Sequence, residues 1–160
     1  MMSMIRIFVL LLCTGLSLVA REVDGIKTKE NAVKIAEKGL QYLDKGEYAK
    51  AICVPLEGSP KYQEVLMGVP KTNEFEDTKQ IIKTVRNMAG KVTSRRLVSV
   101  KKCIFPLGSP YYYVSFISET KRGTLKEKVT LRYRKSDTFK RSSCYANYKF
   151  DFKGKRGDGL

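Results

Sequence analysis

The chain has 160 residues, enough for one domain with a real hydrophobic core, and its 31 Lys and Arg against 16 Asp and Glu give a formal charge of +15. There is no histidine and no tryptophan, so the side chain best suited to proton transfer near neutral pH, also the commonest metal ligand, is missing. The surplus charge is spread along the chain and favours anionic partners, although a solvated basic surface with no dedicated partner reads the same way.

The N-terminus, "MMSMIRIFVLLLCTGLSLVA", has a positive Arg6, an apolar run from Ile7 to Leu12 and then small residues before the charged "REVDGIK". That order predicts a secretory signal peptide over residues 1–20, too short and wrongly flanked for a membrane span. Gly15 and Ser17 fit the small-x-small rule, whereas cleavage after Ala20 leaves Leu18 where a small residue is preferred. Leu12 before Cys13 is too large for a lipoprotein site, so export without lipidation is expected, to the periplasm or the cell exterior. Export removes nucleic acid from the expected partners and allows disulfides. After cleavage Cys53, Cys103 and Cys144 remain, an odd number that permits at most one internal bridge. Cys103 and Cys144 both fall in predicted strands and are the expected pair; the other reading is three small buried hydrophobes.

"KTKENAVKIAEKGLQYLDKGEYAKAI" is helical by period, with Val33, Ala36, Leu40 and Leu43 on one stripe widened by Ala32 and Ile35. Thr28 is the predicted N-cap and Gly46 the stop. A second helix or turn follows from Tyr48 to about Val54, and the next stretch is broken by Pro55, Pro60 and Pro70 into short pieces. "NEFEDTKQIIKTVRNMAG" predicts a third long helix with Phe75, Ile82 and Val85 on one face and Gly90 at its end.

The period then changes to two. Val92, Val98 and Val100 alternate with polar neighbours in the first strand; Tyr112, Val114 and Phe116 lie opposite Tyr111, Tyr113, Ser115 and Ile117 in the second. Leu125, Val129, Leu131 and Tyr133 lie opposite Lys126, Lys128, Thr130, Arg132 and Arg134 in the third. "TFKRSSCYANYKFDF" is a fourth strand of less regular alternation, and the short "TKRG" and "KSD" links predict antiparallel pairing. The predicted fold is α+β, with N-terminal helices packed on one face of a curved four-stranded antiparallel sheet. Residues 21–152 form this single domain, and the Gly-rich, charged residues 153–160 are expected to be a disordered basic tail. "RGD" at Arg156 to Asp158 falls in that tail, where chance explains it.

The succession of "YLDKGEY", "VRNMAGKVTSRRL" (with Arg86, Gly90, Ser94, Arg95 and Leu97), "PLGSPYYYVSF", "EKVTL" and "DTFKRSSCY" resembles a secreted bacterial family, the domain-of-unknown-function family numbered four-zero-one-nine. The resemblance covers roughly residues 31 to 148. It implies an NTF2-like or cystatin-like cone and an exported protein, and it implies no catalytic residues. This chain lacks the tryptophans usual in that family, with Phe139 and Cys144 at two of its motif positions, and its Pro-Gly corner is shortened to Gly108-Ser109-Pro110.

Two groups of residues stand out as candidate sites. If Tyr112 faces the core, Tyr111 and Tyr113 share the opposite face with Lys126, Lys128, Arg132 and Arg134, a cationic surface with interleaved aromatics suited to sugar rings, phosphates or uronates. The competing reading is an ordinary wet sheet face with tyrosines chosen for strand propensity. In "SRR" one arginine must face inward and needs a carboxylate, with Glu127 the candidate. The resemblance places an arginine at 95 and a glutamate at 127, which implies a structural ion pair between Arg95 and Glu127. Asp44, at a helix end, is expected in solvent.

The expected function is an exported non-catalytic domain, with no cofactor and no metal, that binds an anionic polymer or lipid headgroup through its basic sheet face. The alternatives are a cone holding a small apolar ligand, or a module that meets a protein partner on the same face.

Overall fold

A computed structural model of the protein describes residue 26 and residues 28–104, 111–132 and 146–155. The expected signal peptide, Arg134, Cys144, the Gly108-Ser109-Pro110 corner and the RGD tripeptide lie outside these residues.

Helix α1 spans Lys29–Asp44, and Thr28 caps it by accepting from the Asn31 N–H at 3.1 Å. Its buried stripe is Ala32, Ala36, Gly39, Leu40 and Leu43. Gly46, at φ +75°, turns the chain into α2 (Tyr48–Cys53), which tightens into a 3₁₀ turn over Val54–Leu56. The proline-interrupted stretch then gives a short α3 (Tyr62–Gly68) and a second 3₁₀ turn over Val69–Lys71. Thr72 caps α4 (Asn73–Ala89) by accepting from the Phe75 N–H at 3.3 Å, and Gly90, at φ +77°, ends it. Among the described residues no helix is long and apolar enough to cross a membrane.

Four strands follow, β1 (Val92–Cys103), β2 (Tyr111–Thr120), β3 (Gly123–Arg132) and β4 (Ala146–Gly154), in one antiparallel sheet of order β1-β2-β3-β4. The β2–β3 turn needs only Lys121 and Arg122 between strand ends. There Thr120 Oγ1 accepts from both the Arg122 and Gly123 N–H groups, and the Arg122 guanidinium reaches the Asn87 carbonyl at 2.8 Å, near the end of α4.

One face of the sheet carries the core. Tyr112, Val114, Phe116, Val129, Leu131, Ala146 and Tyr148 pack against Ala32, Ala36, Leu40 and Leu43 of α1 and Ile82 of α4. The β4 tyrosine reaches across to the helices: Tyr148 Oη donates to the Ala51 carbonyl at 2.8 Å, and its ring lies under Gly39, where any Cβ would collide with the hydroxyl. A smaller cluster of Ile52, Cys53, Leu56, Val65, Val69 and Phe75 ties α2, α3 and α4 together. Helices before strands, and helices on one side only, is the α+β arrangement expected from the change of period.

Two expectations need correction. Val92, Val98 and Val100 do not share a face, because β1 is two residues longer than a straight pleat would be opposite β2. The register slips between Val92 and Ser94 and again between Leu97 and Ser99, so Leu97 pairs with Phe116 and Val100 with Val114 while Val98 is the extra residue. Bulges are common on an edge strand, where they twist unpaired backbone away from further pairing. The strand also extends past residue 152, the expected end of the domain: β4 runs to Gly154, paired with Gly123, and the Lys155 N–H donates to the Arg122 carbonyl at 3.0 Å.

Candidate functional site

Alternation along β2 and β3 sets the uncovered face of the sheet. Tyr112, Val114 and Phe116 are buried, so Tyr111, Tyr113, Ser115 and Ile117 point the other way, and with them Lys126, Lys128, Thr130 and Arg132 across the register. The outer strands extend the surface with Arg96 and Lys101 from β1 and Lys149 and Lys153 from β4. Against these cations the same face has Glu119 and Asp151 among the described residues, and Asp151 meets Lys126 at only 4.0 Å.

The tyrosines and cations are brought together, but not as a bare stacking platform. Lys128 Nζ lies 5.3 Å from the centre of the Tyr113 ring, and the Arg132 guanidinium 5.0 Å from that of Tyr111. Each ring therefore carries its own cation, fixing a positive charge on the face at low entropic cost. Between the strands lies a trough of about 520 Å³ bordered by Val98, Ser115, Ile117, Lys126, Lys128, Lys149 and Asp151. The bulge supplies its Val98, which stays half exposed at 50%.

The opposite side of the sheet holds a second cluster, around a fully buried carboxylate. Glu127 on β3 accepts from Arg95 Nε at 2.6 Å, from Arg95 Nη2 at 3.2 Å, from Arg86 Nη2 at 2.8 Å and from the Ser118 hydroxyl. Asp44, a third exposed, closes the group by meeting Arg95 Nη1 at 3.1 Å and Arg86 Nη1 at 2.9 Å. The Arg86–Asp44 contact is close but out of line for a directed hydrogen bond, which leaves Arg86 Nη1 and Nε without one. Arg86 also lies over the Phe150 ring, 5.4 Å from its centre. Burial works against a charged Arg95, yet its hydrogen bonds to Glu127 and Asp44 and their negative charge outweigh that, and its pKa is raised. Two carboxylates and two arginines balance one another in charge here, so the group works as a clasp from α1 and α4 to the sheet.

The sequence reading brought Arg95 and Glu127 together but left out Arg86 and Ser118 and placed Asp44 in solvent. Arg86 had a signal: it stands four residues after Ile82 and three before Ala89, so a charge occupies the apolar stripe of α4. Lys149 and Val98 were missed for a different reason. The outward Lys149, Asp151 and Lys153 alternate with Tyr148, Phe150 and Phe152, a rhythm obscured in the sequence by the mixed run "TFKRSSCY" before Ala146. The position of Val98 follows from a bulge that no residue pattern announced.

The expected Cys103–Cys144 bridge involves Cys144, which lies outside the described residues; Cys103 is a free, half-buried thiol at the end of β1. Cys53 is also free and is fully buried; desolvation pushes its thiol up to about 11.

The chain matches no family model, no curated protein and no solved structure.

Proposed function

We propose that this protein is an exported, non-catalytic domain that binds an anionic partner through the uncovered face of its sheet. The observation that carries the reading is the one-sided distribution of charge. Lys126, Lys128, Arg132 and Lys149 sit within one surface, two of them braced on tyrosine rings, with few carboxylates to neutralise them. Like charges directly opposite in a sheet are destabilising, and Lys128 and Lys149 are direct cross-strand partners. Such a pairing is worth keeping where an anion is to be held between them. Export rests on the leader pattern of residues 1–20. The likeness to the secreted family adds export and no chemistry. A small apolar ligand between helices and sheet has less support, since Leu40, Ile82, Tyr112 and Phe116 fill that layer with almost no exposure.

Chromatography on immobilised heparin tests the reading. Attraction of this kind is screened over about 8 Å at physiological ionic strength, so retention falls steeply with salt. The wild type is expected to be retained in low salt. A variant with Lys126, Lys128, Arg132 and Lys149 changed to Ser should elute much earlier than a control with Lys29, Lys34 and Lys83 of the helices and Lys45 just after α1 changed to Ser. Flow-through of the wild type in low salt, or equal elution of the two variants, overturns the proposal.

A further inference from the structure

Resting on that reading, we infer that the trough on the uncovered face is a site for one anionic amphiphile, a lipid with a phosphomonoester head and a single acyl chain. About 520 Å³ lies in the size range of small-molecule sites. Its two ends differ in chemistry. Val98 and Ile117 give it an apolar floor, and Val98 remains half exposed because the β1 bulge turns it out of the core. Leaving a branched aliphatic side chain on a wet sheet face forgoes roughly 25 cal/mol for every Å² that could be covered. At the other end Lys128 and Lys149 stand opposite one another, Cβ atoms about 5 Å apart by ordinary cross-strand spacing, with Lys126 beside them. Two acidic residues line the trough: Glu127, whose carboxylate is buried on the other side of the sheet against Arg95 and Arg86, and Asp151, whose 4.0 Å contact is with Lys126.

Charge complementarity then sets the head group. Three lysines bordering one trough match a doubly charged phosphomonoester better than a single carboxylate, because each ammonium offers three donors and the phosphate presents acceptors on all sides. An acyl chain, in turn, covers Val98 and Ile117. A sugar polymer fits less well: the tyrosine faces it would stack on already carry Lys128 and Arg132.

The probe is decyl phosphate, kept below its micelle concentration and titrated calorimetrically into the full-length protein, with inorganic phosphate and an uncharged decyl glycoside as controls. Decyl phosphate is expected to bind at least tenfold more tightly than either control. A Val98→Ser/Ile117→Ser variant, its fold checked by thermal melting, is expected to lose about tenfold for decyl phosphate while its elution from heparin stays the same. The Lys128→Ser/Lys149→Ser variant should lose both. If decyl phosphate binds no better than inorganic phosphate while heparin retention persists, the amphiphile site is wrong and the basic-face reading stands. Binding confined to phosphatidylglycerol vesicles would likewise replace the single-ligand site with docking on a bilayer. If neither heparin nor decyl phosphate is held, both fail.

Discussion

At the residue level, a close constraint in the fold is the meeting of Gly39 with Tyr148. A methyl group at position 39 would overlap the tyrosine hydroxyl, which is fixed by its bond to the Ala51 carbonyl. Gly39→Ala is therefore expected to destabilise the protein by about 2 kcal/mol in urea melts, despite the better helix propensity of alanine. The cost should shrink in a Tyr148→Phe background, where the colliding oxygen is gone, and additive losses would contradict this packing. Burial also gives the protein an alkaline limit. Cys53, lifted from 9.0 to about 11, stays protonated when folded and ionises more readily when unfolded. Its contribution is thus complete below pH 9 and lost as pH rises toward 11, amounting to about 2 kcal/mol. Tyr148, raised above its ordinary 10.0 chiefly by desolvation, adds a loss that begins near pH 10. Stability measured against pH should fall from pH 9 upward in the wild type, and in Cys53→Ala only from about pH 10.

Between elements, the clasp around Glu127 does what apolar contact alone would not, since it aligns α1 and α4 over strands β1 to β3 by directed bonds. Removing its central charge strands two arginines that are largely buried. Glu127→Ala is expected to cost about 3 to 5 kcal/mol, the range for breaking one partner of a buried pair, whereas Asp44→Ala, at the solvent edge, should cost clearly less. Urea midpoints for the two variants would check the order, and a reversed order would mean that Asp44, not Glu127, organises the cluster. Helix ends are simpler: Thr28 and Thr72 each satisfy one free N–H, and either change to Ala should cost about 1 kcal/mol in thermal stability.

For the molecule as a whole, a charge of +15 concentrated partly on one sheet face opposes compaction as well as attracting anions. Added salt is expected to raise Tm from its low-salt value by screening that repulsion. A polyanion such as heparin should raise Tm further in low salt, because a ligand that binds only the folded state stabilises it by mass action, and the increment should vanish in high salt. A polyanion that leaves Tm unchanged in low salt would remove the thermodynamic basis of the proposed function.

What the residues alone determined were the local periods. A 3.6-residue stripe in α1 and α4 and a two-residue alternation in β2 and β3 are properties of neighbours in the chain, and they were enough to place Tyr112 inward and Tyr111, Tyr113, Lys126, Lys128 and Arg132 outward. Tertiary structure decided whatever depends on residues far apart in sequence. Arg86 joins Glu127 across 41 positions, Tyr148 finds its space beneath Gly39, and Val98 turns outward because two extra residues in β1 break the pleat against β2. Periodicity sorts side chains by face, but it carries no information about which faces meet or where one strand is longer than its partner.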